Sequence, residues 1–217
     1  MLQEKAEKLS KRGFFTGGPV ADFETIGRLQ FITLLKEGLY PSSKVLDIGC
    51  GCLRGGYWII HFLKCAHYFG IEPNREMLDA GIQEILGSDL VEEKQPRFDY
   101  NTAFDFSAFG EKFDFFVARS IWTHTSKQQI QNMLDLYIKT KRDRSVFLTS
   151  YLRAGLFRNR DYKGDRWIGK SHESTIPGLV YHSFKWITHE CEKRGLRVKE
   201  LKEDIWNRQV WLRITAQ

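Results

Sequence analysis

Short apolar runs alternate along this chain with longer segments whose apolar residues recur at helical spacing. Lys44-Val45-Leu46-Asp47-Ile48 reads as a strand ending in Gly49-Cys50-Gly51, and a helix follows through Tyr57, Trp58, Ile59, Ile60, Phe62 and Leu63. Tyr68 to Glu72 is the next strand, closed by Pro73. Asn74 stands where a cap belongs for a helix whose Leu78, Ile82, Ile85 and Leu86 fall on one face, and Gly87 takes its C-terminal end. Phe98 to Thr102 is a weaker third strand and Phe113 to Ala118 a stronger fourth. Ser126 and Gln129 have the spacing of a capping box, ahead of a helix with Ile130, Met133, Leu134 and Tyr137 on its apolar face. Ser145 to Thr149 makes a fifth strand. A helix from about Ser183 to Arg194 then ends at Gly195, and strands near Leu196–Leu201 and Gln209–Thr215 complete the series.

Strands separated by helical segments of this length imply βαβ units and a mostly parallel sheet. The predicted fold is therefore α/β: a Rossmann-like, seven-stranded, mostly parallel sheet with helices on both faces. One domain, 1–217, accounts for the whole pattern, with two departures from the rhythm. Residues 1–40 form a helical N-terminal lid. In it a charged leader, Gln3 to Arg12, gives way to Phe14-Phe15-Thr16-Gly17-Gly18-Pro19, and a helix follows from about Asp22 to Glu37. Residues 151–182 form a long polar and aromatic insert. A loop of that length inside a compact domain is usually a lid or a binding element.

Composition narrows the function only a little. The 33 Lys and Arg residues exceed the 27 Asp and Glu by six, but they are scattered rather than blocked, which disfavours nucleic acid as a partner. Cys50, Cys52, Cys65 and Cys191 form no Cys-x-x-Cys pair, so no metal site is expected. Thiols without a disulfide framework fit a reducing compartment. The first twelve residues lack an apolar signal-like core, and no stretch approaches the roughly 18–20 apolar residues of a membrane span. The expectation is a cytoplasmic protein with no membrane segment.

Asp47-Ile48-Gly49-Cys50-Gly51 carries the most chemistry. Two glycines after a strand and before a helix let backbone pass close to a ligand. The acidic residue two positions before the first glycine would repel a pyrophosphate but welcome a cationic amino-acid group. A dinucleotide fingerprint counted from Gly49 puts Arg54 where its third glycine belongs, which argues against a nicotinamide oxidoreductase. Glu72, at the end of the second strand, has the two acceptor oxygens that suit a ribose diol.

With Val45 to Gly51, Gly70-Ile71-Glu72-Pro73-Asn74 and Phe113-Asp114, the chain resembles the class I S-adenosylmethionine-dependent methyltransferases. The Leu53-Arg54-Gly55-Gly56 run is similar to a bacterial small-molecule subgroup, although Leu53 replaces the third glycine of the family's first motif. The resemblance implies S-adenosyl-L-methionine as cofactor. It implies contacts from Gly49, Cys50 and Gly51 to the methionine part, from Asp47 to its amino end, and from Glu72 and Pro73 at the ribose. It further implies Asp105 and Phe106 at the adenine, and Arg119 bordering the reacting centre.

Methyl transfer is an in-line displacement, so an enzyme contributes alignment and, for a hydroxyl acceptor, proton removal. Histidine is the usual base at neutral pH. His124, after the fourth strand, is the first candidate, His182 the second, and His172 a third. The insert interleaves Arg153, Arg158, Arg160 and Arg166 with aromatic residues, a pattern suited to an anionic small-molecule or glycan acceptor and equally to a solvated basic loop. O-methylation of a small metabolite or glycan-linked hydroxyl is the leading expectation. An RNA methyltransferase and a non-catalytic S-adenosylmethionine-binding protein remain as alternatives.

Overall fold

A computed structural model describes residues 2–155, 157–201 and 208–217; Met1, Leu156 (inside the expected insert) and residues 202–207 lie outside the described residues. The chain divides into two compact units, one ending at Ala103 and the other beginning at Phe104. Its strands are β1 (Val45–Ile48), β2 (Tyr68–Ile71), β3 (Arg97–Asp99), β4 (Phe113–Ala118), β5 (Lys141–Tyr151), β6 (Leu196–Glu200) and β7 (Val210–Ala216). They form a seven-stranded sheet in the order β3-β2-β1-β4-β5-β7-β6. The β1–β2, β2–β3 and β4–β5 pairings are parallel, while β7 runs antiparallel to both β5 and β6. The expected α/β, mostly parallel sheet is therefore present.

In the first unit, every residue of β1 and β2 is buried, as the unbroken apolar runs require of parallel strands covered on both faces. Helix α1 (Leu2–Lys11) turns Leu2, Ala6 and Leu9 inward. They pack with Phe23 of α2 (Phe23–Lys36), Cys52, Ala80 and Ile85, so the charged leader is docked through one apolar stripe. α3 (Gly56–Phe62) follows the glycine loop.

Asn74 caps α4 (Arg75–Ala80), its side chain accepting from the Met77 N–H at 3.0 Å. The single helix expected up to Gly87 is not continuous. Gly81–Leu86 is a π-helical turn, and a Cβ on Gly81 would lie 2.8 Å from the Cys52 backbone. The glycine admits that close approach, and the widened turn carries the helix past it. The pattern did not announce α5 (Ser88–Lys94), because only Leu90 of its residues is buried. β3 is shorter than expected because the Asp99 carboxylate accepts from the Asn101 N–H at 2.8 Å and turns the chain away.

The second unit is built round aromatic rings. Phe116 of β4 meets Tyr137, Phe113, Phe106 and Phe147 with ring centroids 4.8, 5.4, 5.9 and 6.0 Å away. α6 (Lys127–Thr140) has the expected capping box: Ser126 Oγ accepts from the Gln129 N–H and Gln129 Oε1 from the Ser126 N–H. Its Ile130, Met133, Leu134 and Tyr137 are buried, as the spacing predicted. β5 begins four residues earlier than expected, since Lys141 to Arg144 carry no apolar signal. The insert is irregular apart from single bridges pairing Arg153 with His182 and Asp161 with Tyr181, and α7 (Phe184–Glu192) follows.

Gly70 lies opposite Asp47 in the β1–β2 register, where a Cβ would stand 2.8 Å from Cys50 Sγ and 2.9 Å from the Phe98 ring. Gly70→Ala should therefore destabilise the protein by about 1–3 kcal/mol through overpacking. A urea unfolding midpoint equal to wild type would show that this packing has slack.

Candidate functional site

The parallel register sets Asp47 against Gly70 and Ile48 against Ile71, so the two strands end level. The loop then folds back over the end of β2: the Gly49 and Cys50 N–H groups donate to the Ile71 carbonyl at 2.8 and 3.1 Å. Gly49, Gly51 and Leu53 all have positive φ, at 70°, 58° and 66°. The turn is left-handed at alternate residues, a conformation that glycine adopts without a Cβ penalty. A Cβ on Gly51 would meet nothing closer than Met77 Cε at 3.9 Å, so the space beside this glycine is open.

Two carboxylates border this loop. Asp47 is 3% exposed and receives the Tyr68 O–H at 2.7 Å. Glu72 is 7% exposed; its Oε2 accepts from the Gly51 N–H at 3.1 Å and its Oε1 from the Asn74 N–H at 2.9 Å. Among the described residues neither has a cationic partner. Burial is the main cause that pushes the Asp47 carboxyl up to about 7, against the opposing Tyr68 hydrogen bond and with the nearby Glu72 charge adding to it. Burial also raises Glu72, opposed by its two backbone hydrogen bonds. The result is an acidic, largely desolvated pair beside open space, suited to a ligand that brings hydroxyl donors or a positive charge. Pro73, half-buried, follows directly. The Cys50 and Cys52 thiols are buried and burial raises both, Cys52 to about 12, so they serve as packing atoms rather than nucleophiles.

Tyr68 escaped the sequence reading. Its position on β2 follows from the strand pattern, but only the fold shows its hydroxyl turned to Asp47, where a Cβ on Gly56 would come within 2.6 Å of it. The backbone N–H groups that hold Glu72 leave no mark in side-chain identity at all.

The remaining candidates lie in the second unit. Asp105 caps a short 3-10 turn, Phe106–Phe109, accepting from the Ser107 N–H at 2.9 Å, and the Phe106 ring is wholly enclosed against Phe116. Arg119 donates to Gln209 Oε1, which also accepts from the hydroxyls of Ser120 and Ser150 at 3.0 and 2.8 Å. The Arg119 guanidinium lies 5.2 Å from the Trp211 ring centroid. This network, drawn together by Gln209, was also unseen in the sequence.

His124 and His182 have different environments. His124 Nδ1 lies 2.7 Å from the Ile168 carbonyl, and its ring stacks on Trp167 at 5.3 Å and 18°. Burial lowers its pKa, partly offset by the Ile168 and Gly178 carbonyls, which keeps the imidazole neutral and oriented. His182 is 0% exposed; its Nε2 lies 3.1 Å from the Thr125 carbonyl, and Nδ1 has no hydrogen-bond partner among the described residues. Burial takes it down to about 4. His172 lies 3.3 Å from the Glu173 carboxylate in a surface turn. Among the described residues no group of three or more His, Cys, Asp or Glu side chains is placed to hold a metal ion, and no helix is long and apolar enough to cross a membrane.

With this geometry in view, comparison gives a class. The chain has the fold of the class I S-adenosylmethionine-dependent methyltransferases. It is similar to the magnesium protoporphyrin IX methyltransferase ChlM of Synechocystis PCC 6803, solved with bound SAH. The TM-score is 0.62 at 14% identity, with 99% of this chain and 93% of that one covered. It is also similar to the glycopeptide N-methyltransferase MtfA in complex with S-adenosyl-L-methionine, with a TM-score of 0.64, 12% identity, and 88% and 94% covered. A third such structure is an S-adenosylmethionine-dependent methyltransferase of Clostridium acetobutylicum, with a TM-score of 0.63, 10% identity, and 90% and 92% covered. No protein-family model and no curated protein sequence matches the chain.

The raised Asp47 carboxyl has a consequence for stability. Between its unfolded value near 4 and its folded value of about 7, the native chain holds a proton that the unfolded chain has released. Stability should therefore be greatest below the lower value and fall as pH rises through this window, by up to about 4 kcal/mol. Asp47→Asn keeps an acceptor for Tyr68 and should flatten the decline. Urea midpoints measured across pH 4–8 check this, and an unchanged slope in the variant would remove Asp47 as its source.

Proposed function

We propose that the chain is an S-adenosyl-L-methionine-dependent methyltransferase. The observation that carries this reading is the buried Asp47–Glu72 pair, without a cationic partner and beside the open Gly51 turn. The residues fit the cofactor by charge: Asp47 suits its ammonium end, Glu72 its ribose hydroxyls, and Gly49, Cys50 and Gly51 offer backbone without side-chain obstruction at the last of them. A diphosphate would be repelled by the same pair, which disfavours a dinucleotide. When bound, the cofactor supplies a methyl group made electrophilic by its sulfonium.

The remaining roles are proposed by resemblance and environment. Pro73 borders the ribose position, Asp105 takes the adenine with the enclosed Phe106 bracing the turn behind it, and Arg119, anchored on Gln209, holds the wall of the reacting centre. His124 is the preferred base: with Nδ1 held by the Ile168 carbonyl, the neutral ring has Nε2 as its acceptor nitrogen for a hydroxyl proton. His182 is less suited, since a fully buried ring with a pKa near 4 is a weak acceptor of protons at neutral pH. The acceptor we infer is a hydroxyl of a small metabolite or glycan, with anionic groups drawn to Arg158, Arg160 and Lys163, which are all exposed on the insert. Free thiols at Cys50, Cys52, Cys65 and Cys191 support a cytoplasmic setting.

Calorimetric titration with S-adenosylmethionine, S-adenosylhomocysteine and NAD tests the reading. Micromolar binding of both sulfur ligands, no binding of NAD, and loss of at least tenfold in affinity in Asp47→Ala and Glu72→Ala are expected. A folded protein that binds neither sulfur ligand would sink it.

A further inference from the structure

Four polar side chains of the second unit meet where β4 and β5 end and β7 begins. In open α/β sheets ligands lie beyond the carboxyl ends of the parallel strands. Arg119 and Ser120 directly follow β4, Ser150 stands near the end of β5, and Gln209 immediately precedes β7. β7 is antiparallel to β5, with Ser150 opposite Trp211 and Tyr151 opposite Val210, so its first residues lie at that same end. Ser120 has φ 62°, a left-handed conformation that is costly for a residue with a Cβ. Its N–H donates to Ser150 Oγ at 2.8 Å and its carbonyl accepts from Thr123 Oγ1 at 2.9 Å, which fixes the turn that delivers Arg119.

Gln209 Oε1 accepts from Arg119 Nη1 and from the hydroxyls of Ser120 and Ser150. A guanidinium only donates, so the oxygen of the carboxamide must be the end that faces Arg119. Three donors thus converge on an atom with two lone pairs. The Gln209 NH2 adds two more donors on a residue only 8% exposed, and it makes no hydrogen bond among the described residues. The Arg119 guanidinium is held at its edge by Gln209 and over its face by the buried Trp211 ring. The cluster is rich in oriented donors, and the oxygen at its centre is already shared three ways.

We propose that Arg119, with the Gln209 carboxamide beside it, binds a carboxylate of the methyl acceptor, which narrows that acceptor to a hydroxylated carboxylic acid. The assignment rests on the methyltransferase reading and names the substrate class. A planar guanidinium offers paired donors to the two carboxylate oxygens. Arg158, Arg160 and Lys163 on the insert are exposed, and such solvated cations attract an anion without orienting it. Arg119 has a fixed direction.

The test is 15N NMR of labelled protein titrated with acetate, acetamide and inorganic phosphate, with and without S-adenosylhomocysteine, at an ionic strength held constant with chloride. Acetate is the smallest probe with a carboxylate, and acetamide has its shape without its charge. Acetate should shift the Arg119 Nε and Gln209 side-chain signals saturably, with an affinity about tenfold or more above that of acetamide. Gln209→Glu sets a carboxylate against the guanidinium with little change of shape, so it should abolish the acetate response while the urea midpoint stays level or rises. Should that variant not fold, Arg119→Gln decides: its Gln209 signals must no longer respond to acetate. Equal affinity for acetate and acetamide would overturn the proposal, as would an acetate response that survives in either variant. Phosphate binding about tenfold more tightly than acetate would overturn the carboxylate as the group recognised. If wild type binds S-adenosylhomocysteine but shows no preference for acetate, the carboxylate assignment alone fails. If the folded protein binds no S-adenosylhomocysteine, the methyltransferase reading fails and the acceptor assignment with it.

Discussion

The hydrogen bond from the Gly51 N–H to Glu72 joins the turn after β1 to the residue after β2, and the candidate site depends on it. It exists because the two parallel strands end level, with Ile48 opposite Ile71, and because the intervening turn is left-handed at Gly49 and Gly51. Level strand ends also stack Asp47 and Glu72 close enough for one charge to raise the pKa of the other. Gly70 and Gly56 are the packing counterpart: each leaves room for a neighbour, Cys50 Sγ in one case and the Tyr68 hydroxyl in the other. Much of the strictness in this part of the sequence serves to bury two acidic groups that a stable core would otherwise exclude. Left-handed backbone and desolvated acid are thus kept in one place, against the interest of stability, as the proposed ligand site requires.

How legible this was in the sequence depended on the kind of interaction. β1, β2 and β4 could be read because buried parallel strands are continuous apolar runs, and α6 because its capping box and apolar face agree. The acidic and glycine residues of the loop could be read because turn geometry restricts which residue types fit. The π turn at Gly81 could not, since it answers to the approach of Cys52 from elsewhere in the fold. Nor could α5, which buries little, or the first residues of β5, whose side chains are polar. Tyr68 and Gln209 were missed for a related reason: their hydroxyl and amide act across the structure, and such contacts leave no local pattern.

The two histidines show how environment separates residues that sequence position treats alike. His124 follows β4 and His182 closes the insert, and both belong to the unit that begins at Phe104. His124 is held by the Ile168 carbonyl and by stacking on Trp167, so its orientation is set, while burial lowers its proton affinity against the Ile168 and Gly178 carbonyls. His182 is sealed beneath the insert with an unpartnered Nδ1, and ionising it would place a charge where burial is complete. Beside it, Lys127 is engaged with Asp161 at 2.5 Å, and Asp161 also receives the Ser183 N–H at 2.8 Å. That arrangement fastens the middle of the insert to the starts of α6 and α7, which is a structural task. His182 thus lies beside that fastening, fully buried, and the proposed role of base falls to His124.

The charges of the first unit can also be considered together. Asp47 and Glu72 have no cationic partner among the described residues, although Arg54 lies within a few residues of the same glycine turn. Direct neutralisation of one by the other would have been the simplest solution, and the fold does not use it. Gly27 fixes the Arg54 backbone against α2, and its side chain is led toward Gly17 instead. The two carboxylates are buried while the Arg54 side chain is half-exposed, so the unmet demand for a counter-charge falls on Asp47 and Glu72. A ligand that brings hydroxyl donors or a positive charge would answer these carboxylates, while a diphosphate would be repelled by them. The two buried carboxylates, more than the presence of glycines, are what set this loop apart from a phosphate-binding turn.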